Sequence, residues 1–191
     1  MHEPTIGFAV CGSFCTHAQA MQALEQVCQH WTHVVPIVSP CVAETDTRFG
    51  NAHDLMREME RLCDHRVIST IHDAEPIGPK KRLDLLIIAP CTGNTLGKLA
   101  CGITDTSVTM AAKAHLRNAR PLLIAPSTND GLAAAAPNIG TLLARRHVYF
   151  VPFGQDDPVG KPTSLVADFR QRVPAAQAAL EGRQLQPWLL R

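Results

Sequence analysis

"IIAPCTGNTLGKLACGITD", residues 87–105, decides the fold. Its first residues close an apolar run, "LDLLIIAP" at 83–90. A short run of Leu and Ile bounded by charge and Pro predicts a strand buried on both faces. Cys91, Thr92, Gly93, Asn94 and Thr95 follow, and after them Leu96, Leu99 and Ala100 recur at helical spacing. A small polar loop between a strand's carboxyl end and a helix start is where α/β folds hold anions, on free N–H groups and hydroxyls. It is equally the composition of an ordinary strand-to-helix turn with a Thr or Asn cap. The stretch alone leaves both readings open.

On either side the chain alternates. Strands are expected at 5–13, 33–39, 66–70, 83–90, 120–130 and 147–153, and helices at 16–31, 51–64, 104–118, 138–146 and 164–180. Pro36 places the second strand at an edge or in an irregular position. Pro174 interrupts the last helix. Segments 40–50 and 73–82 are too polar and broken for helix and are expected as loops. Strands alternating with helices imply parallel pairing, with helices on both faces of the sheet.

The chain has 191 residues, 18 Lys and Arg against 17 Asp and Glu, and 46% hydrophobic residues. This is enough for one domain, expected over 1–182, with a tail at 183–191 that docks on its own domain or on a partner. Near-neutral charge excludes bulk binding to nucleic acid or to an anionic membrane. No apolar run is long enough to span a bilayer. The start, "MHEPTIGFAVCGS", shows no basic segment followed by an apolar stretch and cleavage site, so a cytoplasmic protein is expected. Seven cysteines, an odd number without a C-x-x-C pair, argue against a disulfide framework, and the scattered histidines against a metal site.

Small polar residues gather at four expected strand ends: Gly12 and Ser13, Ser39, Cys91 to Thr95, and Ser127, Thr128 and Asn129. Any one is turn chemistry. Together they outline a phosphate site of hydroxyls and backbone N–H groups, with Gly12 allowing close approach. The glycine fingerprint of a dinucleotide site and the G-K-[ST] loop are both missing.

"CGSFCT", "APCTGNTLGKLACGITD" and "LLIAPSTND" resemble the flavoprotein family of homo-oligomeric, flavin-containing Cys decarboxylases. That family carries a G-S-[IV] turn, a P-x-[ST]-A-N-T-[LM]-[AG]-K-[LI]-A-x-G-x-x-D stretch and a P-[AS]-M-N turn. "TRFG", "DAEPIGPKK", "MAAKAHLRNARPLL", "VYFVPFGQDDP" and "GRQLQP" are similar, end to end, to one subunit of an oxidoreductase within it. The resemblance implies a three-layer Rossmann-like fold with a mostly parallel sheet. It implies FMN held by Gly12, Ser13, Ser39, Cys91, Thr92, Gly93, Asn94, Thr95, Ser127 and Thr128. It further implies a homo-oligomer, and oxidation of a dihydropyridine dicarboxylate in the mother cell of a spore former. NADP would then sit on a separate partner subunit.

Two departures matter. Pro76, beside Glu75, stands where the family keeps a catalytic His, and Thr128 replaces the Met of the P-[AS]-M-N turn, while Asn129 matches. Decarboxylation of a peptidyl cysteine is therefore disfavoured. Glu75 is the candidate proton acceptor, Lys80 (with Lys81 and Arg82) the candidate carboxylate ligand, and Asn129 the third candidate catalytic residue. A scaffold that keeps a relict phosphate site is the alternative. The apolar tail Trp188–Leu190 and Val108, Met110, Ala111 and Ala112 are candidate subunit contacts.

Overall fold

The computed structural model describes residues 3–190; the first two residues of the expected domain, and Arg191 of the expected tail, lie outside the described residues. The order is β1 (Thr5–Val10), α1 (His17–His30), β2 (His33–Val38), α2 (Pro40–Glu44), α3 (Ala52–Cys63), α4 (Ile71–Ala74) and β3 (Leu85–Cys91). Then come α5 (Gly93–Cys101), α6 (Ser107–Leu116), β4 (Leu122–Thr128), α7 (Ala136–Leu143), β5 (Val148–Phe150), β6 (Phe153–Gly154), β7 (Leu165–Ala167) and α8 (Arg172–Leu180). Short 3-10 turns cover Phe14–Thr16, Glu75–Ile77 and Phe169–Gln171.

Among the described residues seven strands form one sheet in the order β2-β1-β3-β4-β7-β6, with β5 also paired to β4. Pairings of β1 with β2 and β3, of β3 with β4, and of β4 with β5 are parallel. β7 is antiparallel to β4 and to β6. The lower half of β4 pairs with β5 and its carboxyl end with β7.

The order reverses at β1. The connection through α1 moves to β2, whereas the next crossover moves to β3 and onward to β4. Right-handed crossovers in opposite directions put their helices on opposite faces. Accordingly α1 packs with α8, while α6 lies over β2, β3 and β4 with α4 outside it. Between them sit the fully buried runs Ile6–Val10, Leu85–Ile88 and Leu122–Ala125. Val108, Ala111 and Ala112, expected at a subunit contact, are buried in this core because they form the sheet-facing stripe of α6.

Several expected elements change at their ends. Segment 40–50 is not all loop: Pro40 begins α2, since a proline at the first helical position loses no hydrogen bond. Segment 73–82 likewise holds the end of α4 and a 3-10 turn. The strand expected at 66–70 is a single bridge, Ile68 to Ile37. Pro36, which has no N–H, does lie in edge strand β2, and its carbonyl accepts from Ile68 N at 2.9 Å. The helix expected from 164 begins only at Arg172, because Leu165–Ala167 extends the sheet and the Asp168 carboxylate then accepts from Arg170 N. Pro174 falls in the first turn of α8, where it breaks nothing. Pro152 divides the strand expected at 147–153 into β5 and β6.

The tail docks on its own domain. Phe153 N donates to Trp188 O at 3.0 Å, and Leu190 N to Phe153 O at 2.9 Å.

His115, in the last turn of α6, is buried, and its Nε2 donates to Pro121 O at 2.8 Å. Burial, with Arg120 nearby, lowers its pKa to about 4 despite that bond. The unfolded chain therefore binds a proton that the folded chain refuses between about pH 6.5 and 4. Stability is fully present above the upper limit and falls as pH drops through that window. The loss reaches about 3 kcal/mol. Urea midpoints at pH 7 and pH 4.5 check this: His115→Gln, though less stable at pH 7, loses that part of the slope.

Candidate functional site

The ladders bring the polar strand ends together. Cys11 N donates to Pro90 O at 3.3 Å, and Ser39 N to Val10 O at 3.0 Å. Cys91 pairs with Pro126. Gly12, Ser39, Thr92 and Ser127 thus stand within a residue of one another in register, around the point where the strand order reverses. In open α/β sheets that point is the ligand crevice. Between the pairs Ile88–Ile124 and Cys91–Pro126, two residues of β3, Ala89 and Pro90, oppose one of β4, Ala125, a bulge that redirects the chain into Thr92.

Ser13 sits at φ 69°, ψ 49°, a left-handed conformation uncommon for Ser. Its hydroxyl caps no helix; it lies 2.8 Å from the Ser127 hydroxyl. The capping alternative is therefore excluded for Ser13. Ser39 is 8% exposed, and its Oγ is buried without a hydrogen-bond partner. An orphaned hydroxyl of this kind is costly unless something bonds to it.

Thr92 does cap α5: its Oγ1 accepts from Thr95 N at 3.3 Å and donates to Thr95 Oγ1 at 3.1 Å. Thr95 is thereby committed, and buried. Asn94 is exposed in the first turn of α5. A Cβ at Gly93 would lie 2.8 Å from both Asp130 Oδ1 and Thr128 Oγ1, so a side chain there would displace that pair. The Thr128 hydroxyl donates to Asp130 Oδ1. That carboxylate lies on the Gly93 side of the α5 N-terminus, where negative charge is favoured. Gly12 has ordinary space, with Thr92 Cγ2 3.5 Å from a Cβ built on it.

Three expected site residues are placed elsewhere. The Cys91 side chain is fully buried in the core rather than turned to the crevice, and burial raises its pKa. Lys80 lies on the loop that leads into β3, at the amino end of the sheet. There Arg120 Nη1 donates to Lys81 O at 3.4 Å and to Asp84 Oδ1 at 2.9 Å, beside the Thr5 start of β1. The length of β3, about 20 Å, separates it from the cluster. Glu75 is exposed on the outer flank of α6, lining a cavity of about 150 Å³ with Met110, Lys113 and Arg117. Within one chain neither Glu75 nor Lys80 reaches the cluster. The parallel strand itself forces this, because the loop before it must lie at its opposite end. Cations do gather in a cleft of about 390 Å³, lined by Lys113, Arg117, Arg145 and Arg146. Asn129 is exposed just beyond β4, and its carbonyl accepts from Thr163 Oγ1 at 2.6 Å.

His17 is a residue that sequence reasoning missed. It is 9% exposed, and its ring Nε2 donates to Cys11 O at 3.0 Å, which braces the Cys11–Ser13 turn. Burial lowers its pKa and keeps the ring neutral. Its signal was its place one helical turn past Ser13, read only as part of a helix. Burial also pushes the Cys11 thiol up to about 12, so it is no nucleophile. Among the described residues no group of His, Cys, Asp and Glu is arranged to hold a metal ion, and no helix is long and apolar enough to cross a membrane.

A parallel sheet whose order reverses at β1, with small hydroxyl residues gathered at its carboxyl end, defines a Rossmann-like fold. The sequence profile of the Flavoprotein family matches residues 3–151, and the chain belongs to that family. It is 42% identical over 185 residues to the B subunit of dipicolinate synthase from Bacillus subtilis (strain 168), covering 97% of this chain and 92% of that one. The crystal structure of the dipicolinate synthase B subunit from Bacillus halodurans C superposes with a TM-score of 0.90 at 39% identity, covering 98% and 96% of the two chains. The FMN-dependent cysteine decarboxylase SpaF shares the fold, with a TM-score of 0.68 at 21% identity over 93% and 97% of the chains.

Ser39→Ala is expected to leave the thermal midpoint of the ligand-free chain unchanged or higher, since it removes an unsatisfied buried hydroxyl. It should weaken FMN binding by about 1–3 kcal/mol, read by flavin fluorescence titration. Lys80→Ala and Glu75→Gln leave that affinity unchanged.

Proposed function

We propose that this chain serves as the B subunit of a dipicolinate synthase in the cytoplasm of a spore former. Acting with the A subunit of that enzyme, which would carry NADP, it would oxidise a dihydrodipicolinate to dipicolinate (pyridine-2,6-dicarboxylate). The observation that carries this reading is the similarity to the Bacillus subtilis protein along nearly the whole of both chains. The balance would be loss of one hydride from the dihydropyridine ring to oxidised NADP and of one proton to solvent, which makes the ring aromatic.

FMN fits the crevice by the chemistry of its donors. Ser13 and Ser39 would supply hydroxyls to its phosphate, and open first-turn N–H groups of α5 would add to them. When bound, it supplies two-electron redox chemistry. His17 holds the Cys11–Ser13 turn in place before the ligand arrives. Asn129, exposed at the rim, donates its amide to a substrate carboxylate. Assembly into a homo-oligomer is supported by exposed apolar residues, Phe49, Ile103 and Leu132 among them, on a chain this small. Pro76 in place of the family's His disfavours a decarboxylase.

The test is product formation, followed by absorbance of the aromatic diacid, with this chain alone, with its partner alone, and with both. Full turnover is expected only with both. Equal turnover by the partner alone would reduce this chain to a scaffold, and turnover by this chain alone would remove the need for a partner.

A further inference from the structure

One cation inside the fold lacks a bonded anion. Arg172, the first residue of α8, is 3% exposed. Its Nη2 donates to Gln26 Oε1 at 3.2 Å, and its guanidinium carbon lies 5.2 Å from the Phe169 ring centre. Nε and Nη1 are buried without a hydrogen-bond partner. Asp168 is close enough to attract it, but that carboxylate accepts from Arg170 N, Nε and Nη2. Burial pushes the guanidinium down only to about 10, so it remains charged at neutral pH. Keeping a buried cation with open donors is expensive, and packing alone does not require it.

Arg172 lines a cavity of about 340 Å³ between α1 and the segment from β7 to α8. Gln19, Gln22 and Gln26 form one wall at helical spacing, and Val166 to Arg170 form the other. Val166 is the ladder partner of Ser127, so the cavity starts beside the strand that carries the Ser13–Ser127 pair. A volume near 340 Å³ suits a small ligand.

We propose that this cavity binds the carboxylate of a small molecule, gripped by the Arg172 guanidinium, with the amides of Gln19 and Gln22 holding the ligand's uncharged polar body. Gln26 is exposed, and its Oε1 occupies Nη2, the neighbour of the open Nε on one edge of the guanidinium. Turned outward, it frees two parallel N–H groups, the fork a carboxylate accepts. One cation balances one carboxylate. Asp168 beside it repels a dianion, which sets phosphate aside. The site needs neither flavin nor a second protein, so its failure and that of the proposed function are separate results.

The experiment titrates the full chain with pyridine-2-carboxylate, using pyridine-3-carboxamide as the uncharged counterpart and inorganic phosphate as the dianion. Binding is read by calorimetry and by the ¹⁵N–¹H resonance of a buried arginine Nε. The carboxylate is expected to shift that resonance; the amide and phosphate are not. Arg172→Met should weaken binding by about tenfold or more. Its melting temperature should stay equal or rise, because an apolar chain replaces an unpaired buried cation. If that variant does not fold, Gln26→Ala, a change on an exposed position, should tighten binding by freeing the fork. No saturable carboxylate binding, equal binding of the amide or of phosphate, or Arg172→Met binding like the wild type each overturns the proposal.

Discussion

The parallel ladder that sets β1 between β2 and β3 is the constraint on which the carboxyl end of this fold depends. Because the order reverses there, the chain leaves β1 and β3 toward opposite faces and opens a gap above the sheet. The same ladder sets Gly12 against Thr92 and carries Ser13 to Ser127. No side chain has to travel to build the crevice; backbone register does it. The left-handed Ser13 is the visible strain of this arrangement, and strain of that kind persists where surrounding structure holds it for a purpose. His17 supplies part of that hold.

Two kinds of polar group meet at the crevice. Thr92, Thr95, Thr128 and Asp130 satisfy one another and shape the start of α5. Ser39 does not find a partner. Donors already fixed by the fold lose little further freedom when a ligand binds, so they favour affinity without a large ordering cost. Arg172 repeats the pattern with a charge, on the α1 side of the sheet.

Much of this was legible in the sequence. The buried runs at 83–90 and 120–130, the small residues that follow them, and the helical spacing after Thr95 were enough for a parallel α/β sheet and for the gathering of Ser13, Ser39, Thr92 and Ser127. What escaped depends on distance in three dimensions. Residues 164–167 read as helix because their pairing partner, the end of β4, is far away in the chain. Glu75 and Lys80 became catalytic candidates because their loop stands where the family keeps a His, whereas the direction of β3 sends that loop to the other end or flank. Cys91 sits inside a polar motif, yet the strand's alternation turns it into the core. Arg172 gave no sequence signal, since an Arg in a helix is ordinarily solvated.

The central claim is that the crevice at the carboxyl ends of β1 to β4 recognises the phosphate of a flavin. Binding of FMN and of riboflavin, identical except for that phosphate, tests it most directly by fluorescence titration of the purified chain. The account predicts that FMN binds tighter by about 100-fold or more, the scale of two charge-assisted hydrogen bonds. Equal affinity for the two flavins would contradict it.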